Sequence, residues 1–116
     1  GDEVLKELAR RFLETTRDSD VVARYGGEEF VFLLRDTDLE SAAVILERVR
    51  SAIDNELFTV PLGDGSSTDI AVTVSVGVAL VSPDQSMEAI LAAADAALYR
   101  AKDGGRNRVE TAPTPP

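Results

Sequence analysis

Arg24-Tyr25-Gly26-Gly27-Glu28-Glu29-Phe30 lies between two strand-like runs, Asp20-Val21-Val22-Ala23 before it and Val31-Phe32-Leu33-Leu34 after it. A Gly-Gly pair in that setting predicts a tight hairpin, because glycine accepts the positive φ that primed turns need. Two adjacent carboxylates, Glu28 and Glu29, stand directly before the apolar run Phe30 to Leu34. An acid at the mouth of a buried strand is costly without a cationic or metal partner. The turn is therefore a candidate metal or phosphate site, although two glutamates on an arbitrary hairpin would ordinarily be solvated.

Composition narrows the chemistry. The chain has 116 residues, 44% hydrophobic and 28% charged, which fits one globular domain with a modest core. No apolar run approaches the length of a membrane span. The absence of cysteine excludes disulfides and cysteine–zinc sites, and the absence of histidine removes the commonest metal ligand and general base. Any metal must be held by oxygen, which points to magnesium, manganese or calcium. A net charge of −9 argues against a nucleic-acid polymer as partner, since such affinity rests on basic surfaces. A small phosphorylated ligand on a local cationic cluster remains compatible with it.

Outward from the hairpin, periodicity predicts the other elements. Upstream, Val4, Leu5, Leu8, Ala9, Phe12 and Leu13 fall on one helical face, with Asp2 at the cap position and an end near Thr16. Strands are expected at about 21–25 and 29–35. Thr37-Asp38-Leu39-Glu40 reads as a capping box with Thr37 as cap, opening a helix to about Asn55 whose inner face is Leu39, Ala42, Ala43, Leu46, Val49 and Ile53. A short strand at Phe58–Val60 and a loop from Gly63 to Asp69 precede one long strand, Ile70 to Val81. That strand carries Ile70, Val72, Val74, Val76, Val78 and Leu80 on one face. Small residues on the other, Ala71, Thr73, Ser75, Gly77 and Ala79, suit a helix packed closely over it. Ser86 caps a third helix with Met87, Ile90, Leu91, Ala94, Leu98 and Ala101 inward, and Gly104-Gly105 ends it. Arg108–Glu110 reads as an edge strand. The domain is thus expected over residues 1–110, with the proline-rich 111–116 as a disordered tail or linker. The order predicts an α+β fold, with helices over a mostly antiparallel sheet.

GGEEF at a hairpin resembles the signature of the GGDEF-domain family, the diguanylate cyclases, and the likeness runs from Gly1-Asp2 to Arg108. It implies a nucleotidyl-cyclase-like, ferredoxin-like βαββαβ core. It also implies condensation of two GTP molecules into cyclic di-GMP, with release of pyrophosphate and magnesium or manganese as cofactor. Glu28 matches the acid that holds the metal, and Glu29 is its neighbour in the same catalytic motif. Gly27 lets backbone approach the ribose and phosphates. Asp2 matches the aspartate that reads the guanine edge. Lys102 and Arg106, in Tyr99-Arg100-Ala101-Lys102-Asp103-Gly104-Gly105-Arg106-Asn107, match the YxAKxxGRN stretch whose cations hold the triphosphate. Each has a plainer reading: helix capping for Asp2, turn geometry for Gly27, and complementing a helix dipole for Lys102 and Arg106. Arg17-Asp18-Ser19-Asp20 is an RxxD at the offset of the family's inhibitory product site, where a guanidinium can stack on guanine and pair with phosphate. Arg48 matches a second arginine supplied by a neighbouring domain, and reads equally as part of a charged helix face.

The family also carries a DxDxFKxxND-like segment on a strand before the Gly-Asp, and nothing here resembles it. The expectation is a domain lacking its N-terminal segment and first strand. The sheet would then show unpaired backbone and apolar surface in its middle, and the stretch alone would be inactive and poorly stable. The resemblance further implies a homodimer for catalysis, a sensory or receiver domain upstream in the parent, and a cytoplasmic site, with the parent either free or membrane-anchored. A non-catalytic cyclic di-GMP receptor acting through Arg17 and Asp20 is the second reading, and a dimerisation module with incidental acids the third.

Overall fold

The structure is a computed structural model and describes residues 2–14, 20–26 and 28–113. Its elements are α1 (Asp2–Leu13), β1 (Val21–Gly26), β2 (Glu29–Leu34), α2 (Leu39–Asp54), β3 (Leu57–Pro61), β4 (Ser67–Ala71), β5 (Ser75–Leu80), α3 (Met87–Asp103) and β6 (Arg108–Thr111). A four-stranded sheet in the order β1-β2-β5-β6 is the frame, with β3-β4 as a separate two-stranded ribbon. The class is α+β, as expected, but the frame sheet is mixed. β1 runs antiparallel to β2, whereas β5 pairs in parallel with both β2 and β6.

Alternation along the strands divides the core into two layers. Phe30, Phe32 and Leu34 of β2, with Val76 and Val78 of β5, join Val4, Leu8 and Phe12 of α1 and Ala42, Leu46 and Ile53 of α2. Phe12 anchors this layer, its ring centroid 4.8 Å from that of Phe30 and 5.4 Å from that of Phe32. On the opposite face Val31, Leu33 and Ala79 meet Ile90, Ala94 and Leu98 of α3. Gly77 makes this second layer possible. A Cβ there would lie 2.4 Å from the Ala94 carbonyl oxygen and 2.5 Å from the Leu98 nitrogen.

Several expectations are corrected. The single strand over 70–81 is two, β4 and β5, in different sheets. The expected loop over 63–69 contributes Ser67, Thr68 and Asp69 to β4, which folds back on β3 in the register Phe58↔Ile70. The inward face still holds across the break, because Val72 and Val74 remain in the first layer. The cap of α2 is Asp38, not Thr37: its carboxylate accepts from the Ser41 amide at 2.7 Å. Asp2 is the first residue of α1 rather than the cap before it, and α1 ends at Leu13, which is exposed. Met87 and Leu91 of α3 also face outward, on the side of the helix away from Ile90, Ala94 and Leu98. The middle of the sheet has no gap, because β5 occupies the edge of β2 in an unbroken register from Glu29↔Ser75 to Leu34↔Leu80. The chain also continues past residue 110: Thr111 belongs to β6, and the amide of buried Ala112 donates to the Val78 carbonyl at 2.8 Å.

Candidate active site at the GGEEF turn

The turn sits where β1 hands over to β2. Gly26 pairs with Glu29, and the register shifts between Arg24 and Gly26, leaving Tyr25 without a partner across the ladder. An extra residue of this kind bends a strand and re-aims its side chains. Alternation then sends Glu29, like Val31 and Leu33, toward α3. Gly27, the other glycine of the pair, lies outside the described residues, and Gly26 is not among the glycines with positive φ. Its missing side chain has another use, because a Cβ there would stand 3.1 Å from Glu29 Oε2. On the far side, the Glu28 carbonyl accepts from the Ser75 amide at 2.9 Å and ties the turn to β5.

Glu29 reaches the C-terminal end of α3, with Oε1 3.2 Å from Lys102 Nζ and Oε2 3.5 Å from an Arg106 guanidinium nitrogen. Two motifs far apart in the chain therefore form one charged cluster. α3 ends in the required place because the Gly104 amide bonds back to the Arg100 carbonyl and Gly105 turns at φ +115. Arg106 (φ 65) and Asn107 (φ 49) follow in the left-handed region, which costs a non-glycine residue about 1–2 kcal/mol. Asn107 offsets that cost by a clamp on α2. Its amide oxygen accepts from Arg50 at 2.6 Å and its amide nitrogen donates to Asp54 at 3.2 Å.

Glu28 is exposed, and Glu29 is committed to cations. Among the described residues no three or more acidic side chains converge as metal ligands. One free carboxylate fits a magnesium ion that keeps waters and takes oxygens from substrate phosphates, and does not fit an all-protein cage.

The other expected site residues are dispersed. Asp20, before β1, accepts from the Arg35 amide at 3.2 Å and so closes the open end of the β1-β2 hairpin. Arg48 is exposed on α2, in an open groove with Val44, Glu47 and Val109. Arg17, Gly27 and the side chain of Asp2 lie outside the described residues.

Three contributors were not legible as site residues. Arg50, two residues beyond Arg48 on α2, is largely covered and holds Asn107. The others are Tyr25, which the register shift leaves unpaired, and Asp95 of α3, which acts on its phenol. The hydrogen bond to Asp95, with some burial, pushes the Tyr25 phenol up to about 12. A lone acid amid the alanines at 92–94 and 96–97 was the available signal for Asp95.

Comparison with known proteins identifies the family and the fold. The family model described as "Diguanylate cyclase, GGDEF domain" matches residues 1–108. Diguanylate cyclase A of Treponema denticola is 41% identical over 110 residues, covering 94% of this chain and 28% of the relative. The response regulator PleD of Caulobacter vibrioides is 43% identical over 110 residues, covering 94% of this chain and 24% of the relative. The chain thus spans about a quarter of the length of these relatives. Among solved structures, the GGDEF domain of DgcB from Caulobacter crescentus, in complex with c-di-GMP, superposes with a TM-score of 0.74 at 32% identity, over 95% of this chain and 63% of that one. The active GGEEF domain of a diguanylate cyclase from Vibrio cholerae gives 0.62 at 26% identity, over 98% and 69%. No helix among the described residues is long and apolar enough to cross a membrane. With the family model matched from residue 1 to residue 108, this chain belongs to the GGDEF domain family of diguanylate cyclases.

Proposed function

We propose that the protein containing this domain condenses two GTP molecules into cyclic di-GMP. The observation that carries the reading is the Glu29–Lys102–Arg106 cluster, which joins the GGEEF turn to the end of α3 and the turn after it, where the cations suit a triphosphate. Glu29 keeps both cations extended over the turn, and incoming phosphates compete for them. Asp2 accepts from guanine N1–H and N2–H₂, a pairing that adenine cannot offer. Gly27 leaves backbone open to ribose and phosphate. Glu28, exposed at the tip, is the residue to hold magnesium or manganese. Such an ion, when bound, neutralises the triphosphate and lowers the pKa of the attacking hydroxyl.

Each 3′-hydroxyl attacks the α-phosphorus of the other GTP, with a P–O bond formed and pyrophosphate expelled at each centre. Two domains, each carrying one GTP, must therefore face one another as a homodimer. With a single free carboxylate at the described site, the 116 residues alone are not expected to turn over GTP. Product inhibition at Arg17 and Asp20, with Arg48 from a neighbouring domain, completes the proposal. A sensory or receiver domain upstream and a cytoplasmic setting follow from GTP chemistry and from relatives such as the response regulator PleD.

The test is GTP turnover by the natural-length protein with magnesium, products separated chromatographically, beside Glu28→Ala. Cyclic di-GMP from the parent and none from the variant supports the enzyme. No product, with cyclic di-GMP bound in an Arg17-dependent way, favours the receptor.

A further inference from the structure

The turn that carries Arg106 is built around a second guanidinium, that of Arg108. Arg106 and Asn107 both lie in the left-handed region, and α2 clamps the second of them. Arg106 is held through its backbone. Its amide donates to the Ala101 carbonyl at 2.8 Å, and its carbonyl accepts from Arg108 Nε at 3.1 Å. The rest of the Arg108 guanidinium occupies space that two glycines leave open. A Cβ on Gly104 would lie 2.6 Å from Arg108 Nη1, and 3.1 Å from its Cζ and from the Arg100 carbonyl oxygen. A Cβ on Gly105 would lie 3.1 Å from Arg108 Nη2. Gly105 needs glycine for its φ of +115, but Gly104, at φ −79, does not. The missing Cβ of Gly104 leaves room chiefly for Arg108.

The sheet sets how far Arg108 can act. It opens β6 in register with Ser75, and Ser75 is in register with Glu29. The three stand in a row on the α3 face, the face to which alternation also brings Ala112 against α3. Two strand spacings, about 10 Å, separate the Arg108 and Glu29 backbones, whereas Arg106 comes within 3.5 Å of the Glu29 carboxylate. Arg108 thus supports the cation that meets the acid.

We propose that Arg108 is a positioning residue for triphosphate binding: seated on the Gly104–Gly105 turn, it holds the Arg106 carbonyl, keeps that residue left-handed, and so aims the Arg106 guanidinium toward the GGEEF turn. The inference rests on the function proposed above for its effect on GTP, though not for its effect on the turn.

The experiment compares the natural-length protein with Arg108→Leu, Gly104→Ala, Arg106→Ala, and Arg106→Ala combined with Arg108→Leu. Hydrogen exchange at the Arg106 amide quickens by about tenfold in Arg108→Leu and Gly104→Ala through local opening of the turn, while Leu98 in α3 exchanges as before. By calorimetry with magnesium, the ratio of GTP to GMP affinity falls about fivefold in both, the scale of one hydrogen bond, with GMP affinity unchanged. The combined variant shows the ratio of Arg106→Ala alone, because residues that act through one another are not additive. Arg108→Leu carries the test if Gly104→Ala disturbs the helix end. Unchanged Arg106 exchange in Arg108→Leu overturns the proposal. So does a combined variant in which the two losses multiply, since Arg108 would then meet the phosphates itself. A parent that does not prefer GTP to GMP overturns the triphosphate site, and the exchange measurement still decides the role of Arg108.

Discussion

Gly77→Ala probes the contact on which the second core layer depends. The added Cβ would lie 2.4 Å from the Ala94 carbonyl oxygen, 2.5 Å from the Leu98 nitrogen and 2.9 Å from the Leu98 Cα, all of them backbone atoms. No rotamer change can relieve a clash with backbone. Restoring ordinary contact at roughly 3.5 Å requires α3 to retreat by about 1 Å. Two effects compete. Alanine recovers about 0.5–1 kcal/mol of the backbone entropy that glycine costs in a strand, whereas overpacking a core costs about 1–3 kcal/mol and reaches the top of that range when backbone must move. The net expectation is a loss of about 2 kcal/mol. For a domain of this size that lowers Tm by roughly 8 °C, measurable by circular dichroism on melting. A retreat of α3 also stretches the 3.2 Å contact between Lys102 and Glu29, so GTP affinity should fall with stability. A Tm within about 2 °C of the parent, less than 1 kcal/mol produces, would refute the close approach of α3 to β5.

Asp38→Ala removes the cap of α2 and should cost about 1 kcal/mol in chemical denaturation, whereas Thr37→Ala should cost far less. With Tyr99→Phe leaving one tyrosine, ultraviolet titration should find Tyr25 ionising near pH 12, and adding Asp95→Leu should bring it back toward 10. Because the folded pKa is raised, the folded chain keeps its proton longer; the contribution is complete below pH 10 and disappears between about 10 and 12. Glu7 has the opposite sign. Hydrogen bonds from Arg10 and then Arg11 hold its carboxyl down to about 2 against 4.5, so its contribution is present above 4.5 and fades as pH falls toward 2. Carboxyl NMR titration of Glu7 checks that value, and an ordinary midpoint would contradict the ion pairs.

The helices and the hairpin were legible because their signals are local. The helical spacing of Val4, Leu8 and Phe12, and of Ala42, Leu46 and Ile53, identifies faces that do become buried. The break between β4 and β5 was not legible, since Ile70 to Leu80 alternates without a glycine or proline between Ala71 and Ser75. The same inward face serves both sheets, so periodicity cannot register the change of partner. The Asp38 cap was ambiguous for a related reason: Thr37 and Asp38 are both capping types, and only the helix start decides between them. Pairing of β2 with β5 depends on two segments separated by α2 and a whole hairpin, which no window along the chain contains.

At the site, the motifs were readable as strings while their contacts were not. The sequence places Glu28 and Glu29 side by side and cannot tell which stays free. The period-2 geometry of β2 decides it, turning Glu29 to α3 and leaving Glu28 exposed. Asn107 and Arg50 form a clamp only because α2 and the loop after α3 converge.

If the GGEEF turn and the end of α3 form one triphosphate site, the β- and γ-phosphates of GTP must add affinity through Lys102 and Arg106. The direct measurement is the ratio of GTP to GMP affinity in the natural-length protein, by calorimetry with magnesium, beside Lys102→Ala and Arg106→Ala. The expected result is a strong preference for GTP that falls by about tenfold or more in each variant, the scale of one charge-assisted hydrogen bond. A preference for GTP left intact in both variants would contradict it.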